Sequence, residues 1–160
     1  TTAIDLDNPV TWNTGDFSVQ KVISGDGASL VDADAEFTVD YTYEVPSDLN
    51  IVPGSGSGTL TVKADGTVVD GPKLPYGTTV SLTEQEPAAV AGGTWTGSSF
   101  DRQTFTIGDQ ATTAVTLTNT IERDLGSVTI TKAVTGSGAD LVDDDTLFTV
   151  DYAYPAGAGF

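Results

Sequence analysis

The chain is 160 residues long, with 23 acidic residues against six basic ones and a formal net charge of −17. A surface of that sign is repelled by nucleic acid and by anionic membrane, which argues against both as partners. Cysteine, methionine and histidine are all absent, so no disulfide staples the fold, and the commonest general base and metal ligand is missing. No metal and no cofactor is expected.

In chain order the apolar residues recur with period two rather than 3.6. Strand-like runs rich in Thr, Val, Ile, Tyr and Phe fall at 16–23, 35–43, 58–64, 78–84, 103–108 and 112–121. Turn signals separate them, among them Ser24-Gly25-Asp26-Gly27, Asp65-Gly66, Pro75-Tyr76-Gly77 and Gly92-Gly93. Short strands at this spacing, with no convincing helix, predict an all-β sandwich. Pro53-Gly54-Ser55-Gly56-Ser57-Gly58 has the composition of a linker and reads as a mobile loop between two strands. No apolar run is long enough to span a membrane.

The first 49 residues return as the last 49. With Thr1 set against Thr112 no gap is needed, and about 20 of the 49 pairs are identical. Phe37-Thr38-Val39-Asp40-Tyr41 matches Phe148-Thr149-Val150-Asp151-Tyr152, and Lys21 matches Lys132. The period of 111 residues, Thr1 to Thr112, is the size of a domain. The expected organisation is therefore a tandem array. Residues 1–14 are the last strand of a preceding repeat, 15–124 a complete repeat, and 125–160 the opening strands of the next. The junctions at 9–15 and 120–126 are short and poor in glycine, which restricts hinge motion. Such an array points to a structural rod rather than an enzyme.

Alternation places three polar side chains among core residues. Lys21 shares a face with Phe17, Val19 and Ile23; Glu84 with Val80 and Leu82; Asn119 with Val115, Leu117 and Ile121. The flanking copies keep the register, with Asn8 beside Ile4, Leu6 and Val10, and Lys132 beside Val128, Ile130 and Val134. Each buried polar group costs several kcal/mol unless it finds a partner, so the three are expected to satisfy one another. Two arrangements do so. One is a Lys–Glu ion pair with an asparagine hydrogen bond. The other is covalent: a desolvated lysine loses its proton and becomes a nucleophile, while a desolvated carboxyl keeps its proton, polarises the asparagine carbonyl and relays protons as ammonia leaves. The product is a Lys–Asn isopeptide bond between the first and last strands.

Leu74-Pro75-Tyr76-Gly77-Thr78-Thr79-Val80-Ser81-Leu82-Thr83-Glu84-Gln85-Glu86-Pro87-Ala88 resembles the glutamate box of the collagen-adhesin B-type (Cna-B) repeat family. Gly126-Ser127-Val128-Thr129-Ile130-Thr131-Lys132 resembles that family's opening strand, and Val115-Thr116-Leu117-Thr118-Asn119 its closing strand. The resemblance implies an immunoglobulin-like or prealbumin-like sandwich from a Gram-positive surface protein or pilin, closest to repeat modules of actinobacteria. It implies Lys21 as nucleophile, Asn119 as electrophile and Glu84 as proton-shuttling acid, with Asn8 and Lys132 holding the same places in the flanking repeats. The sequence departs from the family pattern at Val80, where an aromatic residue is expected, and at Gly93-Thr94-Trp95, which replaces a Gly-Tyr pair. Glu86 shares the parity of Glu84, so alignment and not facing singles out Glu84.

Other candidates carry less. Asp32, Asp34 and Glu36, echoed by Asp143, Asp144 and Asp145, lack the spacing of a calcium loop and read as solvated turns. Trp95 reads as a core residue, Trp12 has Arg123 as its counterpart, and Lys73 reads as a surface lysine. The expected role is an extracellular spacer, at a cell surface or anchored to its wall, whose partners are neighbouring repeats. The competing role is an adhesin module binding a host glycan or protein through exposed loops. Differences between the two copies are spread evenly rather than gathered in one set of loops, which favours the spacer.

Overall fold

Runs in which every second residue is apolar leave each strand with one face that must leave water. In this protein two sets of such faces close on each other. The computed structural model describes residues 4, 6–51 and 53–153, and the chain divides into two units, Thr1–Asp124 and Leu125–Phe160. The strands of the first unit are β1 (Thr14–Ser24), β2 (Glu36–Glu44), β3 (Ser55–Lys63), β4 (Val69–Asp70), β5 (Leu74–Pro75), β6 (Thr79–Glu84), β7 (Gly93–Phe100), β8 (Thr104–Thr106) and β9 (Thr112–Arg123). They form two sheets. One runs β4-β1-β9-β7, with β5 also paired to β1; the other runs β3-β2-β6-β8. The fold is an all-β sandwich.

The first and last long strands lie side by side and parallel, in register from Asp16 opposite Thr112 to Ser24 opposite Thr120. Their inner faces contribute Phe17, Val19, Val115 and Leu117, which pack on Phe37, Val39, Val62, Val80 and Leu82 of the second sheet. Phe17 lies edge-on to Tyr41 and Phe105 at centroid distances of 5.6 and 5.5 Å. Burial of a Val, Leu or Phe side chain stabilises by about 1.5–3 kcal/mol, so this layer supplies the cohesion of the unit.

The six runs read from alternation all contain strands, and three features differ from expectation. The glycine-rich stretch expected as a mobile loop is strand from Ser55 onward, antiparallel to β2. Its glycines are there for space. Gly56 lies opposite Tyr43 and Gly58 opposite Tyr41, and a β-carbon on either would sit 2.6 Å from the facing ring's Cζ. The tyrosine rings fill the core volume that the glycines leave, a cross-strand rescue of poor strand formers. The second difference is β7, which, like the two-residue β4 and β5, has no counterpart among the expected runs, and which carries a bulge between Trp95 and Gly97. The third is the extent of β9, which continues through the first half of the expected junction to Arg123. Ile121 is buried there, and Arg123 is tied to the 25–29 turn through its backbone N–H and Nε to Asp26 and Nη2 to Ser29.

The second unit has no strand among its described residues and leaves Val128, Ile130 and Leu147 exposed. Isolated strands without a partner sheet have nothing to bury against. It does repeat two local features of the first unit one period on. A short 3-10 turn at Ala28–Leu30 recurs at Ala139–Leu141, and the Lys21 Nζ over the Phe37 ring (4.1 Å) recurs as Lys132 over Phe148 (4.2 Å).

Filling the space above Tyr41 overpacks the core. Gly58→Val is expected to lower the unfolding free energy by about 1–3 kcal/mol in urea titrations. Ser57→Val, facing outward one residue away, should change it by less than about 0.5 kcal/mol.

Candidate functional site

Three strands deliver the polar cluster. β1 places Lys21 inward after Phe17 and Val19, β9 places Asn119 inward after Val115 and Leu117, and β6, in the facing sheet, ends on Glu84. In the parallel register Lys21 lies opposite Leu117 and Asn119 opposite Ile23, so the two are neighbours on one face of one sheet. Lys21 and Asn119 are each 1% exposed, and the Glu84 side chain 5%. Lys21 Nζ donates to Glu84 Oε1 at 2.7 Å, and Asn119 Nδ2 donates to the same oxygen at 2.9 Å. The other oxygen, Oε2, accepts from Ser98 Oγ on β7.

Apolar groups complete the enclosure. The Lys21 Nζ sits 4.1 Å above the Phe37 ring, and Trp95 meets Phe37 edge-on at 5.8 Å while its Nε1 donates to the Ala88 carbonyl at 2.9 Å. Burial holds the Lys21 ammonium below the ordinary lysine range, and the hydrogen bond and charge of Glu84 offset this only in part. Asn119 Oδ1 is buried and has no hydrogen-bond partner. A buried acceptor without a donor is rare and calls for a reason. Turning the amide over would aim Oδ1 at Glu84, an arrangement that is favourable once Glu84 carries a proton to donate.

A proton moving along the 2.7 Å Lys21–Glu84 hydrogen bond converts ammonium and carboxylate into amine and carboxylic acid. The same three residues then present a nucleophile, a hydrogen-bond donor and an amide carbonyl. Lys21, Glu84 and Asn119 are thus brought together by the fold. Asn8 and Lys132 are not; both are exposed, and Lys132 Nζ donates to the Ala133 carbonyl. Glu86 lies beyond the end of β6 and is exposed. Asp34 pairs with Lys63 at 3.2 Å, and among the described residues no group of Asp and Glu is placed to hold a metal.

A family model covers residues 17–122, which is more than half of the chain and runs from within β1 to within β9, the whole cluster included. Its description is Domain of unknown function (DUF5979). The chain belongs to that family. No curated protein matches the sequence. Among solved structures, the DUF5979 chain is similar to the pilus-presented adhesin Spy0125 (Cpa), with 13% identity, 68% of this chain and 28% of that one covered, and a TM-score of 0.45. It is also similar to the major pilin T3.2 of Streptococcus pyogenes (19% identity, 76% and 50% covered, TM-score 0.40). A third is an adhesin of Mobiluncus mulieris containing intramolecular disulfide, isopeptide and ester cross-links (17% identity, 69% and 42% covered, TM-score 0.38). The chain spans half or less of the length of each of these proteins.

Sequence reasoning missed Ser98. The signal that hides it is the bulge in β7, which breaks the alternation on which an inward residue is recognised.

The lowered lysine value has a measurable sign. Asn119→Ala leaves Lys21 as a titratable amine. Between its folded value and the ordinary 10.5, the unfolded chain binds the extra proton, so unfolding free energy rises with pH across that alkaline window. Urea titrations of Asn119→Ala should show this rise, and Lys21→Met in the same background should abolish its Lys21 component.

Proposed function

We propose that the complete repeat, residues 15–124, is a load-bearing spacer of a Gram-positive surface protein, stabilised by a self-formed isopeptide bond between Lys21 and Asn119. In this reading the domain is a Cna-B-like module, residues 1–14 and 125–160 belong to its neighbours in an array, and the protein works outside the cell. The observation that carries the proposal is the convergence of a buried lysine, a buried asparagine with an orphaned carbonyl oxygen, and a carboxyl bonded to both.

The chemistry balances within the cluster. The neutral Lys21 Nζ attacks Asn119 Cγ, a new Nζ–Cγ bond forms and the Cγ–Nδ2 bond breaks. Glu84 donates its proton to the Asn119 side and recovers one from Nζ, so ammonia leaves and the carboxyl is unchanged. A water-poor site favours the neutral pair and keeps hydrolysis out.

Topology supports the spacer role. Because β1 and β9 are parallel neighbours, the chain enters at one end of the pair, at Thr14, and leaves at the other, at Arg123. Tension along an array then shears β1 against β9. A covalent bond between these strands carries that load past the hydrogen-bonded ladder. It also closes a loop of about a hundred residues, which restrains the unfolded chain by about 4–5 kcal/mol in the chain-entropy treatment.

Intact-mass measurement tests this directly. The folded chain should weigh one ammonia less than its sequence, and tandem mass spectrometry should place the link between Lys21 and Asn119 while Lys132 stays a free amine. Lys21→Ala and Glu84→Ala should both keep the full mass. Each should melt lower than the parent by roughly 15 °C or more, the loss expected for the closed loop. A parent of full mass would leave a buried Lys–Glu–Asn cluster without the bond.

A further inference from the structure

β7 carries one residue more than the segment of β9 it faces. Trp95 pairs with Ile121, but Gly97 already pairs with Thr120, so Thr96 is the extra residue. Along a regular strand Trp95 and Gly97 would share the inner face, and Ser98 would point to solvent. The bulge reverses that parity. Ser98 and Phe100 fall opposite Asn119 and Leu117, the inward residues of β9, just as Trp95 falls opposite Ile121. A bulge beside a functional site commonly re-aims one side chain. Here the side chain is a hydroxyl, and it donates to Glu84 Oε2.

We infer that Ser98 is a positioning residue for the crosslinking reaction, its hydroxyl fixing which oxygen of Glu84 faces Lys21 and Asn119; this rests on the proposed reading of the cluster. With Oε2 held by Ser98, Oε1 is the atom that receives both Nζ and the Asn119 amide. Proton pick-up from Nζ and delivery to the departing nitrogen then run through one oxygen, with no rotation of the carboxyl. Ser98 neither gains nor loses a proton over the cycle. The Nζ–Cγ bond forms, the Cγ–Nδ2 bond breaks, one hydrogen passes from Nζ through Oε1 to the leaving nitrogen, and ammonia departs. Ser98 also stands at the water-exposed edge of the site, while the carboxyl behind it is buried. Without the hydroxyl, water can bond Oε2 and draw Glu84 out of line with the two reacting groups.

The test follows ammonia loss against time. The full chain is made by cell-free translation, quenched into denaturant at intervals and weighed by mass spectrometry. Ser98→Ala should react about tenfold more slowly than the parent, the effect of losing one hydrogen bond to the carboxyl. Ser98→Thr, which keeps the hydroxyl, should restore the parent rate. Thermal melts of Lys21→Ala with and without Ser98→Ala should coincide, which separates positioning from folding. If Ser98→Ala keeps pace with the parent, if Ser98→Thr is as slow as Ser98→Ala, or if Ser98→Ala unfolds the Lys21→Ala chain, the role assigned to Ser98 is wrong. A parent that retains its full mass instead overturns the crosslink, and the role of Ser98 with it.

Discussion

A lysine ammonium buried between two β-sheets is the constraint from which the rest of this structure follows. Lys21 sits among Phe17, Val19 and Phe37, where an uncompensated charge would cost several kcal/mol, as much as two or three core residues contribute. Glu84 reaches it from the opposite sheet and Asn119 from the adjacent strand, so the cluster ties three strands and both layers together. Removing Glu84 would take away the hydrogen-bond partner that Lys21 and Asn119 share. The core around the cluster is shaped to keep water out, with Phe37 over the amine and Trp95 braced against Phe37.

The sheet order also fixes where the chain enters and leaves the sandwich. Parallel neighbours need a long connection between them, and here that connection is the rest of the domain. The chain therefore enters and leaves at opposite ends of a single strand pair. Antiparallel terminal strands would bring both ends to the same pole, where tension peels hydrogen bonds one at a time. In the parallel pair all of them share the load. The proposed link between Lys21 and Asn119, near the end of the register, would add a connection that water cannot replace under shear.

Part of the site's geometry is local. The Lys21–Phe37 contact and the Ala28–Leu30 turn recur one period later, in a stretch with no strands of its own. The approach of lysine to ring is thus encoded within about 16 residues of chain, in the turn and the spacing that both copies share. The carboxyl and the amide are not local. They come from strands separated from Lys21 by most of the domain, and only pairing of the sheets delivers them.

Period-two alternation alone determined the all-β class, most strand positions and the inward facing of Lys21, Glu84 and Asn119, because a strand's side chains have only two directions. The repeat alone set the expected bounds of the domain, 15–124. Facing did not separate Glu84 from Glu86; the end of β6 at Glu84 did, by leaving Glu86 in solvent. Nor could composition tell a linker from a strand at Ser55–Gly58, since the reason for those glycines is the bulk of Tyr41 and Tyr43 on the strand opposite. Ser98 was hidden for a related reason. Its direction depends on a bulge, and a bulge exists only relative to the partner strand it slips against. Side-chain parity is a property of one strand and is written in its residues, whereas register, space and bulges belong to pairs of strands and appear only when the sheets have formed.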